Sequence, residues 1–310
     1  MEIFGNQSLR ESFGEALVEL GNQYDDLRVL DAGTRNSTMS EGFQRKYPDR
    51  FYTAGINEPG MIGIATGLAM AGKRVIVSDM SIFLQHAHAH LLTAARQKQG
   101  LHLIVAASHT GVAVGPDGGS AHDVTDIARM RLIPDFTVIS PWDSEIVRKS
   151  LKTALEEPGY YYIRLNRPKV PTFTPPSFDF KIGKTYKLKS GSRVTIVAAG
   201  DKVYTALQVA AELGEGIAEV IGVATFEPFD RAPIVESARH TGRVITIEDH
   251  ISQGGLFESV AGVLAEDHPT RMMKLAVPRK YTTSGEPDEL AKMYQIDKSA
   301  LLHACVKFLA

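Results

Sequence analysis

The sequence predicts an α/β protein with two domains, each a mostly parallel sheet flanked by helices. Three observations lead to this fold class. Apolar runs typical of strands alternate with helical patterns in two separate segments, a proline-rich stretch lies between the segments, and a chain of 310 residues that is 44% hydrophobic can build two cores. Apolar runs without polar alternation are typical of parallel strands that helices cover on both faces.

The first segment begins with an amphipathic helix over 9–24, because Leu9, Phe13, Leu17 and Leu20 recur at helical spacing. Strands and helices then alternate as they do in parallel sheets. The remaining elements are predicted in this order: a strand over 27–33, a helix after Glu58, a strand over 74–80, a helix over 85–97, strands over 101–108 and 136–142, a helix over 143–157 that Asp143 or Ser144 caps, and a strand over 160–165.

The stretch 166–180 contains four prolines and no periodic pattern, which indicates a linker. A second alternation follows, with strands over 194–200, 218–224, 243–250 and 271–277 and helices over 202–213, after 233 and over 255–266. We therefore predict a first domain over 1–172, a linker over 173–190 and a second domain over 191–310. A helical pattern near the C-terminus contains Cys305, which we expect to be buried.

Composition excludes several functional classes. A net charge of −2 and a pI near 6.6 give no electrostatic reason to expect nucleic acid or an anionic membrane as a partner. The apolar runs are shorter than the roughly 20 residues of a membrane span. The N-terminal residues lack a basic region followed by an apolar one, and a single cysteine cannot form an internal disulfide. We therefore expect a soluble cytoplasmic protein.

Polar and aromatic side chains lie where ligands bind in sheets of this kind. Ligands of parallel sheets bind beyond the carboxyl ends of the strands. Five residues lie at or just after a predicted strand end: Asp31, Glu58, Phe83, His109 and Arg164. These residues are the first candidates for a functional site.

Glu58 stands directly before a helix that is rich in glycine and alanine. A helix cap explains the residue well, because Asn57 or Glu58 can cap the helix and Pro59 suits its first turn. Capping carboxylates are more common than catalytic ones. The helix itself is unusual, since each glycine costs about 1 kcal/mol of helix stability relative to alanine. This composition indicates that another helix or a subunit approaches the surface of the helix closely.

The segment 108–123 is a glycine-rich loop that carries His109, Asp117 and His122. We predict no regular structure in it. A long glycine-rich loop with two histidines and an acid is more often functional than a plain connection.

Each of several other polar residues can have either a functional or a structural role. On a helix, His86 and His90 would share one face, but no third ligand has an interpretable spacing, so we predict no metal site and ordinary roles for these residues and His88. Arg164 and Arg167 can clamp a phosphate or form salt bridges between domains.

Several stretches together resemble the C-terminal half of the transketolase family of thiamin-diphosphate enzymes. These stretches are HTGVAVGPDGGSAHDVTDIA, MRLIPDFTVISPWD, YYIRLNRPKVP and the segment from FEPFDRAP to GVLAE. The resemblance implies a pyrimidine-binding domain with the thiamin-diphosphate-binding fold, followed by a transketolase C-terminal domain. It covers almost the whole chain.

The resemblance implies a coenzyme-binding role for four residues. In this family, the glutamate before the small-residue helix hydrogen-bonds the aminopyrimidine ring nitrogen of thiamin diphosphate and favours the tautomer that can deprotonate the reactive carbon. By this similarity Glu58 is catalytic. Phe83 is similar to the aromatic residue that stacks on the pyrimidine, and Ile82 and Asp31 are expected to contact the coenzyme beside it.

The resemblance also implies residues that bind the substrate. His109 and His122 are expected to contact sugar hydroxyls and to assist proton transfer. Asp117 is expected to bind a hydroxyl of the donor sugar. A sugar phosphate would be bound by arginines, for which Arg167 or Arg164 and also Arg10 are the candidates.

The family motif that binds the diphosphate and its metal ion is absent from the sequence. That motif is Gly-Asp-Gly followed some 25–30 residues later by two asparagines, where the family holds Mg²⁺. We therefore expect this chain to supply no metal ligand and to be one subunit of a split transketolase. Its partner, an N-terminal subunit, would bind the diphosphate and the Mg²⁺ or Ca²⁺, in an α2β2 assembly in which this chain also contacts its own copy.

The loop departs from the family pattern in ways that concern the substrate. One extra residue precedes His122, Asp123 stands where glutamine is usual, and His86 or His88 follows Phe83 as a candidate pocket residue. The resemblance implies sugar phosphates of the pentose phosphate type, whereas these departures leave a different ketose donor or aldose acceptor open, and the sequence identifies neither. The β subunit of a 2-oxoacid dehydrogenase E1, half of a 1-deoxyxylulose-5-phosphate synthase, and a non-catalytic assembly subunit are the alternatives.

Overall fold

The computed structural model describes residues 2–97 and 101–310, and two large sheets organise this part of the chain. The chain divides into two compact units, the first comprising Met1–Thr110 and Met130–Lys181 and the second comprising Gly111–Arg129 and Ile182–Ala310. The glycine-rich loop after His109 thus belongs to the second unit. The domain limits expected from the sequence stay a prediction.

The first part of the chain alternates strands with helices. Up to residue 181 the elements are β1 (Gly5–Ser8), α1 (Leu9–Leu20), β2 (Leu27–Asp31), α2 (Arg35–Thr38), α3 (Glu41–Lys46), β3 (Phe51–Thr53), α4 (Glu58–Met70), β4 (Arg74–Met80), α5 (Ser81–Leu84), α6 (His88–Ala95), β5 (Leu103–Ser108), α7 (Asp126–Arg131), β6 (Phe136–Ile139), α8 (Ser144–Glu156), β7 (Tyr160–Leu165) and β8 (Lys169–Thr172). Six strands of the first unit lie in the order β6-β7-β5-β4-β2-β3, and all of their pairings are parallel. The fully buried β5 lies inside this sheet, as its continuous apolar sequence predicts.

The remaining chain builds the sheet of the second unit. Its elements are β9 (Thr185–Lys189), β10 (Gly191–Ala199), α9 (Lys202–Glu212), β11 (Gly216–Val223), β12 (Thr225–Glu227), α10 (Ala232–Thr241), β13 (Arg243–Ile251), α11 (Leu256–Asp267), β14 (Arg271–Val277), α12 (Pro287–Met293) and α13 (Lys298–Leu309). Five strands lie in the order β14-β13-β10-β11-β9, and only β9 pairs antiparallel to its neighbour. Cys305 of α13 is buried as predicted, and burial raises the pKa of its thiol to about 12.

Three sequence predictions about local structure were wrong. The proline-rich stretch 166–180, in which no regular structure was predicted, contains β8, which pairs antiparallel with β1 near the N-terminus. The predicted helix over 85–97 is divided into a 3₁₀ turn over Gln85–Ala87 and helix α6, so His86 and His90 do not share one α-helix. The glycine-rich loop contains 3₁₀ turns over Val112–Asp117, interrupted at Gly115, where φ is 79°. Each feature depends on a partner or a glycine conformation that hydrophobic periodicity does not report.

Asp143 connects helix α8 to the chain that follows β8. Its Oδ1 accepts a hydrogen bond from the Ile146 N–H at 3.1 Å, so Asp143 caps α8. Its Oδ2 accepts from the N–H groups of Phe173 at 3.1 Å and Thr174 at 2.8 Å. The buried indole of Trp142 donates to Thr174 Oγ1 at 2.8 Å, so the side chains of Trp142 and Asp143 fix the same segment.

No helix in the described ranges is long and apolar enough to cross a membrane.

We expect Asp143→Ala to lower the free energy of unfolding of the first unit by about 3 kcal/mol, because three N–H donors lose their acceptor in a buried site. Guanidinium unfolding followed by the fluorescence of Trp142, the single tryptophan, measures this change. Asp143→Asn keeps one carbonyl acceptor and should cost less. Ser8→Ala, which removes the side-chain cap of α1 in the same unit, should cost about 1 kcal/mol. Equal losses for Asp143→Ala and Ser8→Ala would contradict the double role of Asp143.

Candidate functional site

Three carboxyl groups gather near one edge of the sheet in the first unit. Asp31 ends β2, Asp79 lies one residue before the end of β4, and Glu58 begins α4. Asp31 and Asp79 have no exposed surface and Glu58 is 6% exposed. Parallel strands bring their carboxyl ends to the same edge, which explains why acids far apart in sequence meet there.

Asp31 is bound by the backbone of the turn that follows its own strand. Its Oδ2 accepts hydrogen bonds from the N–H groups of Gly33 at 2.9 Å and Arg35 at 3.0 Å. Its buried Oδ1 has no hydrogen-bond partner within the described residues. A buried acceptor without a partner is unfavourable in the isolated chain, and it suits a residue that meets another molecule.

The carboxyl group of Asp79 is also fixed by two hydrogen bonds to one of its oxygens. Its Oδ1 accepts hydrogen bonds from Thr34 Oγ1 at 2.8 Å and from the Met80 N–H at 2.7 Å. Its buried Oδ2 has no hydrogen-bond partner in the described part of the chain. Burial, and to a smaller extent the nearby carboxylates of Glu58 and Asp31, raise the pKa of Asp79 to about 6 against the opposing effect of its two hydrogen bonds.

Glu58 does not cap its own helix. Asn57 supplies the cap, because its Oδ1 accepts from the Gly60 N–H at 2.9 Å, and a Cβ at position 60 would lie 2.4 Å from the Asn57 side chain. The carboxylate of Glu58 is therefore available for another role. Its Oε2 lies 3.8 Å from Nδ1 of His86, a largely exposed side chain.

The outer face of α4 is apolar and open. Ile64 and Met70 are 48% and 62% exposed, and a Cβ added at Gly63 or Gly67 would have no atom within 4 Å. Ile56, just before the helix, is 92% exposed. Exposed apolar groups interspersed with glycines suit a surface that another chain covers. We call the residues Ile56, Gly63, Ile64, Gly67 and Met70 the α4 face.

The residues after β4 lie on the short helix α5. Phe83 is 36% exposed and Ile82 is half-buried. An exposed aromatic ring that follows the carboxyl end of a strand is available to a planar ligand. Stacking by Phe83 and coenzyme contact by Ile82 stay predictions.

His109 has a constrained backbone and two polar contacts in the first unit. Its φ of 56° lies in the left-handed region, which residues other than glycine rarely adopt. Its Nδ1 lies 2.8 Å from Ser108 Oγ, and its Nε2 lies 3.4 Å from Nη1 of Arg10. Because Arg10 can only donate, this geometry favours the tautomer in which Nδ1 of His109 carries the proton.

The arginine candidates differ in accessibility. Arg10, which is half-buried, also donates from Nη1 to the carbonyl of Ser37 at 2.8 Å, so its guanidinium is held in place by its own chain. Arg164 on β7 is 2% exposed, whereas Arg167 beyond the strand is half-buried. Arg167 is therefore easier for a ligand to reach.

In the second unit, Asp249 holds the start of the glycine-rich loop. Its carboxylate accepts from the N–H groups of Val112 at 3.0 Å and Ala113 at 3.3 Å. Gly111 has a φ of 72°, and a Cβ there would lie 2.0 Å from Asp249 Oδ2. Both facts explain why glycine occupies position 111.

The other loop residues divide into enclosed and exposed groups. His122 is buried, with Nδ1 2.9 Å from Thr282 Oγ1 and Nε2 3.1 Å from the carbonyl of Gly115. Asp123, expected to affect the substrate pocket, is buried and pairs with Arg129 at 2.6 Å. Asp117 is exposed. Asp117 and His122 belong to the second unit, whereas Glu58, Phe83 and His109 belong to the first.

Asp79 and Asp249 were not among the site residues predicted from the sequence. Each lies close to the carboxyl end of a predicted strand, in RVIVSDM and RVITIEDH, so the strand-end rule that selected Asp31 also applies to them. Within the described ranges, no group of three or more His, Cys, Asp or Glu side chains is arranged to hold a metal ion.

Comparison with known proteins identifies both parts of the chain. The family profile described as "Transketolase, pyrimidine binding domain" matches residues 6–172, and that described as "Transketolase, C-terminal domain" matches residues 183–301. A protein of Methanocaldococcus jannaschii described as a transketolase C-terminal section is 35% identical over 300 residues, covering 95% of this chain and 94% of that protein.

Longer relatives and solved structures agree. The transketolase of Homo sapiens is 36% identical over 302 residues, which are 95% of this chain and 48% of the human protein, so the chain spans about half of it. A solved structure described as "Split gene transketolase, inactive beta4 tetramer" has a TM-score of 0.87 and 35% identity, covering 98% of this chain and 99% of that one. These matches confirm the predicted resemblance and fold class. The chain therefore belongs to the transketolase family of thiamin-diphosphate-dependent proteins and corresponds to its pyrimidine-binding and C-terminal domains.

Proposed function

We propose that this chain is the C-terminal subunit of a two-chain transketolase, which moves a two-carbon ketol unit from a ketose, expected to be a phosphate, to an aldose. The observation that carries the proposal is the carboxyl group of Glu58. It is almost fully buried at the start of α4, and Asn57 already caps that helix. A structural subunit needs no acid at this position.

The residues of the first unit fit the pyrimidine part of thiamin diphosphate. Asp31 offers a buried oxygen without a partner, Glu58 offers a carboxyl group next to an open apolar face, and Phe83 offers an exposed ring. Glu58, Phe83, Ile82 and Asp31 would hold the pyrimidine. The bound coenzyme would supply the nucleophilic carbon that adds to the ketose carbonyl.

Glu58 would act by holding a proton at its carboxyl oxygen, shared with the ring nitrogen of the pyrimidine. A side chain that forms hydrogen bonds but cannot exchange a proton, such as an amide, cannot replace this carboxyl group. The diphosphate and its Mg²⁺ or Ca²⁺ would be bound mainly by the partner subunit, because this sequence lacks the family motif for them.

His109 is the chain's best-supported substrate residue. Its constrained backbone and its contacts with Ser108 and Arg10 fix the imidazole, and Nε2 is directed at Arg10. It would hydrogen-bond the sugar through Nε2, in exchange for the contact with Arg10, and exchange protons with the sugar oxygen atoms, while Arg10 and Arg167 would bind the phosphate. Asp117 and His122 are proposed as further sugar contacts, and for His122 this requires exchange of its contacts with Gly115 or Thr282.

The assembly is proposed to be an α2β2 tetramer. A relative described as a transketolase C-terminal section and a structure described as a split-gene transketolase match this chain over 94% and 99% of their own lengths, which supports a separate N-terminal subunit. The α4 face would lie against another chain, including a second copy of this one, and would keep water from Glu58. The split-gene relative of known structure is described as an inactive tetramer of four β subunits. This description supports a chain that self-associates and needs its partner for activity.

The proposal is tested by mixing this chain with an N-terminal transketolase subunit, thiamin diphosphate and Mg²⁺, and assaying ketol transfer from several ketose phosphates. We expect activity only when both chains are present. Decarboxylation of a 2-oxoacid would indicate an E1 β subunit, condensation of pyruvate with an aldose phosphate would indicate a 1-deoxyxylulose-5-phosphate synthase, and no turnover with any donor would indicate a non-catalytic subunit.

In the mixed enzyme, we expect Glu58→Gln to lower kcat by about 10²–10⁴-fold, because the amide keeps the shape of the side chain but cannot exchange the proton. Size-exclusion chromatography should show an unchanged assembly. The control is Glu145→Gln, which changes a glutamate in the first turn of α8 and should leave kcat unchanged. Retention of most activity by Glu58→Gln would remove Glu58 from the reaction.

We expect Arg167→Ala to raise KM about 10- to 100-fold for phosphorylated sugars and much less for unphosphorylated ones, because a charged hydrogen bond to the phosphate is lost. Lys169→Ala removes a neighbouring exposed cation and serves as the control. Equal changes of KM for both sugar classes would exclude Arg167 from the phosphate site.

We expect Gly67→Lys to prevent assembly through the α4 face. The added side chain meets no atom of its own chain, so the variant should fold, but a charge would have to be buried between chains. Gly262→Lys on α11, where a Cβ also meets no atom within 4 Å, is the matched control. Light scattering after chromatography gives the mass of each variant, and an unchanged mass for Gly67→Lys would show that this face stays exposed.

A further inference from the structure

The glycine-rich loop is held at both ends by strand β13 of the second unit. At its start, the carboxylate of Asp249 accepts hydrogen bonds from two backbone N–H groups. At its end, the Ile251 N–H donates to the carbonyl of Val124 at 3.0 Å, and Nε2 of the buried His250 accepts from the Ala128 N–H at 3.4 Å. Three consecutive residues of one strand therefore fix the two points between which the loop runs.

The middle of the loop is covered by residues 278–286, the connection between β14 and α12, which we call the cover segment. The two pieces of chain approach so closely that no side chain fits between them. A Cβ at Gly119 would overlap the carbonyl oxygen of Thr282, and a Cβ at Gly118, where φ is 81°, would overlap the hydroxyl of Ser284. The close approach of the cover segment thus explains why glycine occupies these two positions of the loop.

His122 lies between the loop and the cover segment and is almost fully buried. Its Nε2 lies 3.1 Å from the carbonyl oxygen of Gly115, in the loop, and its Nδ1 lies 2.9 Å from Oγ1 of Thr282, in the cover segment. A carbonyl oxygen only accepts, so Nε2 carries the hydrogen, and Nδ1 of the neutral ring accepts from the hydroxyl of Thr282. The two contacts select the same tautomer of His122.

We propose that Thr282 is a positioning residue for the sugar substrate: its hydroxyl keeps Nε2 of His122 as a hydrogen-bond donor when Nε2 leaves the carbonyl of Gly115 and binds a hydroxyl oxygen of the sugar. This inference rests on the proposed sugar contact of His122. The hydrogen bond at one ring nitrogen sets which nitrogen carries the hydrogen, so the contact of Nδ1 with Thr282 preserves the donor during the exchange. The second unit thereby takes part in sugar binding through a loop that the profile of the pyrimidine-binding domain includes.

The hydrogen bond between Thr282 and His122 is tested first in the isolated full chain, by ¹⁵N NMR of the histidine side chains. The signals of His122 are those absent from the spectrum of His122→Ala. We expect the native ring to carry a hydrogen on Nε2 alone, and we expect the Nδ1 signal to move in Thr282→Val, which keeps the shape of the side chain but removes the hydroxyl. A hydrogen on Nδ1, or an unmoved Nδ1 signal in Thr282→Val, would overturn the proposal.

Two further variants of the cover segment are matched to Thr282→Val. Thr282→Ser keeps the hydroxyl and should keep the native Nδ1 signal of His122. Thr283→Val changes the neighbouring exposed side chain, while the N–H of residue 283 can still donate to the hydroxyl of Tyr294, 3.0 Å away, and it should also leave the signal unmoved. Equal movement of the signal in Thr282→Val and Thr283→Val would show that the segment as a whole holds His122, which contradicts a specific role of the Thr282 hydroxyl.

The effect on the reaction is tested in the enzyme assembled with its N-terminal subunit. We expect Thr282→Val to raise KM for the ketose donor about 3- to 10-fold, because one hydrogen bond that orients His122 is lost, and we expect Thr282→Ser to restore the native value. In a His122→Ala background, Thr282→Val should have no further effect, because Thr282 acts through the imidazole ring. Additive effects of the two substitutions would overturn the proposal. An unchanged KM in Thr282→Val would also overturn it, and would indicate that His122 releases Thr282 rather than Gly115.

Failure of the proposed function has a different signature. Absence of ketol transfer in the native assembly would refute the proposed function, and full activity of His122→Ala would refute the sugar contact of His122. The NMR experiment requires no turnover, so it decides in either case whether the Thr282 hydroxyl fixes the ring of His122.

Discussion

The edge where parallel strands of the first unit end is the constraint on which the candidate site depends. The helices of such a sheet run back along its faces, so the residues after each strand meet at one edge. β2 and β4 are neighbours, and their ends place Asp31 and Asp79 together, while α4 begins with Glu58 close by. The acids thus share a dry region although nearly 50 residues separate the first from the last.

Concentrating acids in that region is unfavourable, and the local structure limits the penalty. Backbone N–H groups and the Thr34 hydroxyl bind one oxygen of Asp31 and one of Asp79. The remaining oxygens receive nothing within the described residues, and the charged groups acting on Asp79 are acidic. Functional sites often retain such unfavourable groups, because a proton can be moved there with little rearrangement.

At the start of helix α4, different residues cap the helix and supply the buried carboxyl group, a distinction that the sequence alone leaves open. Asn57 satisfies the helix end, Gly60 makes room for that cap, and Glu58 remains for chemistry. Gly63 and Gly67 are not required by packing within the chain, because a Cβ at either position would meet no atom within 4 Å. Their effect is to leave the outer face of the helix open. The same short segment therefore combines a conventional helix start with a buried carboxyl group and a surface suited to another chain.

The sequence by itself determined the alternation of strands and helices, the position of Glu58 at the start of α4 and the resemblance to a family, because periodicity, caps and motifs are properties of neighbouring residues. Only the tertiary structure decided the β1–β8 pairing, the contact of Arg10 with His109 across 99 residues, and the support of the glycine-rich loop by Asp249 across 137 residues. The surroundings of Asp79 belong to the same group. These features depend on strand order and on burial, which arise from contacts between residues distant in the chain, and no local pattern encodes them.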